Sequence, residues 1–207
     1  MPKLSALPAI SAPALGDKLV ETQASTTTDG ETTIQNLITL INANQPLIWW
    51  QELGRATSAG GVTTLSVGSF AACTYLRFIM VVLPAVAYNS GRLQFNGDTG
   101  ASNYPYRVAT NGAADTTGAT NGVAVDVGNA SQASPTYTVV DIVNVLAQEK
   151  VYLGQGSDAG ASGTSGVPNR RELAGKWANT SAQITSATLA TATTLNSGSA
   201  LIVLGHN

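Results

Sequence analysis

The sequence predicts a mainly β protein: a jelly-roll-like antiparallel β-sandwich preceded by a short N-terminal arm, a hairpin and a helix. Three observations support this prediction. From residue 47 onward, short segments rich in β-branched and aromatic residues alternate with Gly, Ser and Asn at the spacing of strands and turns. The chain lacks the strand–helix–strand rhythm of a parallel α/β sheet. Charged residues make up only 11% of the 207 residues, against about 25% in an ordinary soluble domain, which favours packed strand surfaces and subunit interfaces.

The first 16 residues contain three prolines and predict an extended arm. Proline removes backbone donors and blocks regular pairing, so such an arm is expected to lie along a partner or a neighbouring subunit. Downstream, Asp29-Gly30 stands between two β-favouring segments, a pattern typical of a β-hairpin.

The next segment predicts a short helix with one apolar face. Its apolar residues fall at positions i, i+3, i+4 and i+7; they are Ile34, Leu37, Ile38 and Ile41. A helix of about ten residues is marginal in water, so this face must pack on something. Packing on its own sandwich and packing on symmetry mates both remain open. Residues 1–46 are therefore predicted to be an attachment and oligomerisation segment, and residues 47–207 a display domain.

Ten strands are expected in the display domain. The segment 75–83 is apolar on both alternating sets of side chains, which predicts a central strand covered on both faces. Residues 139–146 also fit a helix, but their β-branched side chains favour a strand. Long loops are expected at 111–122 and 155–167. The predicted strands are 47–55, Val62–Val67, 75–83, 91–96, Tyr104–Thr110, 123–127, 137–145, 150–154, 183–189 and 200–205.

Few residues point to catalysis, and no catalytic, cofactor or metal residue is assigned. The one histidine, His206, is next to last in the chain, which makes a catalytic triad improbable, and a Cys73–His206 pair is disfavoured. Cys73 is expected to be a buried thiol. Asp98, in Asn-Gly-Asp-Thr-Gly, is expected to cap a tight turn rather than bind calcium. A carboxylate pair of the glycosidase type stays as a minority hypothesis.

Charge and hydropathy exclude two further classes of partner. The net charge of −2 provides no basic surplus for nucleic acid. The longest apolar stretch, of about ten residues, is too short for membrane insertion, which needs about 20.

The adjacent tryptophans Trp49 and Trp50 are the candidate ligand contacts. On a strand they point to opposite faces, so at most one enters the core. The other is expected to lie in an interface, to cover the helix or to stack on a sugar.

Two blocks of sequence resemble a family of small tailed-bacteriophage virion proteins of the tail-fibre, minor tail or head-fibre type. The first is residues 75–78, Tyr-Leu-Arg-Phe, leading to residues 92–100, Arg-Leu-Gln-Phe-Asn-Gly-Asp-Thr-Gly, and followed by Tyr104 and Tyr106. The second is residues 175–189, which begin Gly-Lys-Trp-Ala-Asn-Thr-Ser, with the closing segment 197–205. The N-terminal stretch is similar to the attachment segments of phage fibre proteins.

The resemblance implies a jelly-roll-like domain, usually assembled as homotrimers and mounted on a virion, without catalytic residues. The expectation is therefore a structural fibre or spike subunit that is assembled in the host cytoplasm. It would attach through its N-terminus to other virion proteins of head or tail, and its contribution to host adsorption stays open. The alternative is a module that recognises a host surface glycan, and a glycan-cleaving enzyme ranks third.

Overall fold

The computed structural model of the chain describes residues 18–21, 30–33, 50–87, 91–125, 133–160, 163–164 and 166–207. The chain divides into two units, Met1–Pro46 and Leu47–Asn207. All regular structure in the described residues is β, with fourteen strands and no helix. The strands are β1 (Lys18–Glu21), β2 (Gly30–Thr33), β3 (Gln51–Thr57), β4 (Val62–Val67), β5 (Tyr75–Val82), β6 (Gly91–Phe95), β7 (Tyr104–Thr110), β8 (Thr116–Thr120), β9 (Val123–Ala124), β10 (Thr136–Val143), β11 (Lys150–Asp158), β12 (Asn169–Trp177), β13 (Ala187–Leu195) and β14 (Ala200–His206).

The second unit is a sandwich of two antiparallel sheets of unequal size. The large sheet has eight strands in the order β3-β14-β5-β10-β11-β12-β7-β8. The small sheet has four strands in the order β4-β13-β6-β9. The antiparallel sandwich predicted from the sequence is therefore confirmed.

The pairing of the strands is that of a jelly roll. Four pairs are nested along the chain: β3 with β14, β4 with β13, β5 with β10, and β6 with β9. The outermost and third pairs lie in the large sheet, and the other two lie in the small sheet. This folded-over arrangement of eight strands in two sheets defines the jelly-roll architecture. The remaining strands, β7–β8 and β11–β12, are insertions that extend the large sheet beyond β10.

The core lies between the two sheets. In β10 the even-numbered side chains from Thr136 to Ile142 are buried and the intervening ones are not, as expected for a strand with one face inward. An aromatic cluster fills one end of the core, with Phe78 5.3 Å and Trp177 5.8 Å from the ring of Phe95. Trp177 is 1% exposed and is among the largest fully buried side chains.

Strand β5 was predicted to be central and covered on both faces, and only the first half of this prediction is confirmed. It is central, since it pairs with β14 on one side and β10 on the other. Leu76, Phe78, Met80 and Val82 are buried, but the alternate residues are half-buried, and Tyr75 is 42% exposed. No second layer within the described residues buries that face fully. Residues 139–143 are strand, as their β-branched side chains indicate.

Two predicted loops contain strands instead. The segment 111–122 includes β8, and the segment 155–167 begins with the last four residues of β11. Strand β12 was not predicted at all, because Arg170, Arg171 and Glu172 have little intrinsic preference for strands. It forms because β11 and β7 pair with it on both sides.

In the first unit, the described residues form one antiparallel ribbon. Lys18 pairs with Thr33, and Glu21 pairs with Gly30. The two strands of the predicted hairpin are thus present, with Gly30 in strand β2; Asp29 lies outside the described residues. The predicted helix of Ile34, Leu37, Ile38 and Ile41 lies outside the described residues.

Candidate functional site

The large sheet turns an apolar surface away from the core. Because side chains alternate along a strand, the residues between the buried ones of β5, β10, β11 and β14 point outward. Leu153 is 65% exposed, Val151 56% and Tyr137 51%. We call this surface the apolar face; it consists of Ile79, Val81, Tyr137, Val139, Val143, Val151, Leu153, Ile202 and Leu204.

The strand register makes the apolar face continuous. Ile202 of β14 pairs with Ile79 of β5, which pairs in turn with Val139 of β10. In the next row Val81 pairs with Tyr137. Directly opposite side chains in antiparallel strands lie about 5 Å apart, close enough to form one surface. The apolar face therefore extends across neighbouring strands and is not a set of scattered side chains.

The small sheet shows what an ordinary solvated face of this sandwich looks like. Its outward residues include Ser66 and Thr188, which lie opposite one another on β4 and β13. The hydroxyl groups of Ser66 and Thr188 are hydrogen-bonded at 2.9 Å. Antiparallel sheets commonly have one core face and one polar solvated face. The small sheet follows this rule, and the large sheet departs from it.

Charged side chains on and around the apolar face are paired. Arg77 donates from Nε and Nη2 to the two carboxylate oxygens of Asp141, at 2.6 and 2.8 Å. The hydrogen bonding of Arg77 to Asp141 raises the pKa of the guanidinium above its ordinary value. The other ion pairs of this surface are Glu52–Arg55, Arg107–Asp115, Arg170–Glu172 and Glu149–Lys176.

A shallow trough of about 660 Å³ crosses the face between two of these ion pairs. The register aligns Arg77, Asp141, Leu153, Ala174 and Arg107 across β5, β10, β11, β12 and β7. An Arg–Asp pair therefore stands at each end, and apolar side chains form the floor between them. The small side chain of Ala174 keeps the centre low. Gln155 and Glu172 line the same trough.

Trp50 belongs to an aromatic group at one end of the trough. The imidazole of His206 lies edge-on to Trp50 and stacked on Tyr75, with both centroid distances at 4.7 Å. The guanidinium of Arg77 lies 4.9 Å from the centre of the Trp50 ring. Trp50 remains 37% exposed, so this candidate contact lies at the surface beside a polar group. Trp49 lies outside the described residues.

Cys73 and His206 do not form a catalytic pair. Cys73 is 1% exposed, and burial raises the pKa of its thiol. Its sulfur is directed toward Gly205, since a Cβ added to that glycine would lie 2.9 Å away. The next residue, His206, instead contacts Trp50 and Tyr75 on the outer side of the sheet. The expectation of a buried thiol is confirmed.

Asp98 has the turn-capping role expected from its sequence. Its Oδ1 accepts a hydrogen bond from the backbone N–H of Gly100 at 2.9 Å, and Asn103 Nδ2 donates to both of its carboxylate oxygens. In the described part of the chain, no group of three or more His, Cys, Asp or Glu residues is placed to hold a metal ion. The described residues also include no helix that is long and apolar enough to cross a membrane.

Sequence reasoning missed the trough because strand β12 was not predicted. Glu172 and Ala174 come from that strand, and Arg107 comes from β7, which pairs with it. Only the adjacency of β11, β12 and β7 brings these residues together. The sequence indicates part of the apolar face, because residues 75–83 are apolar in both alternating sets of positions.

Comparison of the chain with protein-family models, curated proteins and solved structures finds no match. The resemblance to phage fibre proteins therefore stays a prediction.

Proposed function

We propose that this chain is a non-catalytic structural subunit of a tailed-phage virion, of the fibre or spike type. Residues 1–46 attach it to other virion proteins, and the jelly roll is the displayed domain. The observation that carries the proposal is a jelly roll whose larger sheet has an apolar outer face that no described residue covers fully.

The fold is compatible with this role. Viral capsid proteins and lectins are among the proteins built on jelly rolls. Because one fold hosts many functions, the role has to be argued from a site. The site here is the apolar face.

Large exposed apolar patches on soluble proteins mark interaction surfaces. Leu153, Val151 and Tyr137 each leave more than half of their surface in water. Burying a Leu or Val side chain contributes about 1.5–3 kcal/mol. A chain that presents several such residues on the outer face of one sheet therefore favours assembly with another surface, as a virion subunit requires.

The two blocks that resemble phage virion proteins meet in the fold. Asn96 of the first block accepts hydrogen bonds through Oδ1 from the backbone N–H groups of Thr185 and Ser186 in the second, at 2.9 and 3.1 Å. Their joint placement at one end of the core supports the view that they belong to one structural pattern.

The test is whether the chain is part of the particle. Its peptides are expected in gradient-purified particles of the phage that encodes it, and an antibody against the sandwich should label those particles in electron micrographs. A particle fraction without these peptides, with the protein found only in the soluble lysate, would reject the proposal.

A second candidate function is recognition of a host surface glycan. Its support is the trough, whose volume of about 660 Å³ lies within the range of roughly 300–1,000 Å³ typical of ligand pockets. Paired Arg and Asp side chains at both ends offer directed donors and acceptors for hydroxyl groups. Trp50 beside Arg77 offers an aromatic surface for the apolar side of a sugar ring.

Glycan recognition is tested with an array of bacterial surface glycans. Binding is expected to fall in Glu172→Ala, which removes a polar trough side chain, and to persist in Val62→Glu, a substitution at a 40% exposed position of the small sheet. Wild-type signal at background level on the whole array would remove this candidate.

A further inference from the structure

We propose that a second copy of this chain covers the apolar face. The inference rests on the proposed assembly function and names the partner for this surface. Four observations support it: the contrast between the two sheets, the arrangement of apolar and charged residues, the charge balance and the size of the face.

The outer faces of the two sheets belong to one molecule in the same solvent, so their compositions can be compared directly. The small sheet places Ser66 and Thr188 outward, directly opposite one another. The large sheet places Ile202, Ile79 and Val139 outward in one row of its own register. A face that stayed in water would not need three β-branched apolar residues in a row. This composition is the one that the core of an interface requires.

The arrangement is also that of an interface. Subunit interfaces have an apolar centre and a polar rim. Here Ile79, Val139 and Val81 occupy the centre of the sheet. Charged pairs flank the centre, with Glu52–Arg55 on the edge strand β3 and Arg170–Glu172 on β12, while the Arg77–Asp141 pair lies next to it on β5 and β10. The pairs on β3 and β12 remain able to reach solvent when the centre is covered.

The charge balance favours a copy of the same chain over a strongly charged partner. The Arg77–Asp141 pair closest to the centre is internally neutral, with both of its hydrogen bonds made within the face. Because its charges are paired, the face has no net charge that would attract a polyanion or a basic segment. Two copies carry no net charge into the contact and do not repel each other. Symmetric homo-oligomers are moreover the commonest assemblies of soluble chains.

The outer surface of the large sheet is wide enough for a stable contact. With strands about 4.8 Å apart and seven residues long, and a rise of about 3.3 Å per residue, the four strands of the apolar face present a footprint of roughly 440 Å² and all eight strands of the sheet present roughly 900 Å². A stable interface buries about 800 Å² on each partner. The apolar face and the charged rim on the neighbouring strands together therefore supply the surface that one stable contact needs.

The first experiment measures mass by light scattering on the full chain at micromolar concentration. The wild type is expected at a multiple of 21.1 kDa. Leu153→Glu is expected to lower that mass while the far-ultraviolet circular dichroism stays that of a β protein, because this side chain is 65% exposed in the single chain. Val62→Glu is the matched control on the small sheet and should keep the wild-type mass. A folded monomeric wild type would overturn the inference.

A second measurement separates this face from the N-terminal segment as the source of assembly. Cys73 is buried, so an introduced thiol can be labelled selectively. Leu153→Cys is expected to react with a maleimide several times more slowly than Val62→Cys in the oligomer, and at a comparable rate after dilution to monomers. Equal rates in the oligomer would overturn the inference, as would a shielded thiol in a monomer, which would assign the face to another segment of the same chain.

These outcomes are separate from the virion test. A chain that is found in particles but whose Leu153→Cys thiol reacts freely keeps the proposed function and loses this inference. A monomeric wild type that binds a glycan in the trough would likewise overturn the inference and assign the surface to the ligand. A self-associating chain that is absent from particles loses the proposed function while the contact itself stands.

Discussion

The indole Nε1 of Trp177 donates a hydrogen bond to Oδ2 of Asp98 at 2.7 Å. Asp98 lies in the turn after β6, and Trp177 is the last residue of β12, 79 positions later. The contact joins a buried aromatic ring to a charged turn. It also joins two segments of sequence that no local pattern connects.

Trp177→Phe is expected to destabilise the sandwich by about 2–4 kcal/mol, because it leaves a cavity in the core and removes a charged hydrogen bond. Urea denaturation followed by circular dichroism measures this change. Asp115→Asn, in an ion pair where the Asp115 side chain is 44% exposed, is the control and should cost less than about 1 kcal/mol. Equal small effects for both variants would contradict a structural role for the Trp177 contact.

The same contact predicts a pH dependence. Partial burial raises the pKa of Asp98, but hydrogen bonds from Trp177, Gly100 and Asn103 outweigh it and hold the pKa below its ordinary value. The carboxylate therefore stabilises the fold above about pH 3.9, the value in an unfolded chain, and this contribution is lost as pH falls through the lower folded-state pKa.

Asp98→Asn tests this dependence, since its amide cannot accept from both Trp177 and Asn103. The variant is expected to be less stable than the wild type at neutral pH, with the gap narrowing in acid. Urea midpoints measured at pH values from neutral to strongly acidic would show the narrowing. A gap that is the same at every pH would count against the ionised carboxylate as its source.

Asn144 is expected to be intolerant of even an isosteric change. It is fully buried, its Nδ2 donates to the carbonyls of Cys73 and Ile184, and its Oδ1 accepts from the N–H of Ile184. Asn144→Asp loses both donated bonds and buries a carboxyl group against two carbonyls, so we expect a loss of about 3 kcal/mol or more.

Asn207→Asp is the matched control, because Asn207 uses Oδ1 to accept hydrogen bonds from Thr74 and an aspartate retains that oxygen. Its thermal midpoint should stay near that of the wild type. A similar fall in both variants would point to a general effect of added negative charge.

Gly175→Ala is expected to cost about 1–3 kcal/mol through overpacking. A Cβ there would lie 2.6 Å from the backbone oxygen of Pro105 and would overlap the hydroxyl of Tyr152. Gly68→Ala is the control, because no described atom lies within 4 Å of its Cβ position. Thermal denaturation of the two variants should separate them clearly; equal midpoints would mean that β12 shifts to accept the methyl group.

The local sequence pattern was sufficient to predict a strand where the strand is bounded by turn residues and rich in β-branched or aromatic side chains. Val62–Val67 and Tyr104–Thr110 were predicted to the residue for this reason. Strands β8 and β12 were missed, because residues such as Gly118 and Arg171 favour strands only when partners are already in place on either side. Their stability comes from pairing with β7 and β11, which is not encoded locally.

The candidate site was only partly predictable. Trp50 was identified, and it lies on the surface beside Arg77. The second apolar set of β5 predicted a strand covered on both faces, without indicating the source of the outer cover. A sequence pattern indicates that Ile79 and Val81 favour burial; it does not indicate whether the covering surface comes from the same molecule or another. The trough required knowledge of strand order, since Arg107 and Ala174 are distant in sequence.

Strand β14 follows the other thirteen in the chain and yet occupies the interior of the large sheet, between β3 and β5. During synthesis, the edges of β3 and β5 that pair with β14 remain unpaired until residues 200–206 leave the ribosome. Unpaired edges bind other unfinished chains, and pairings between distant segments form slowly. Slow translation near the end of this domain, or loss of its final strand, would thus expose nascent chains to aggregation more than an equal change near β7.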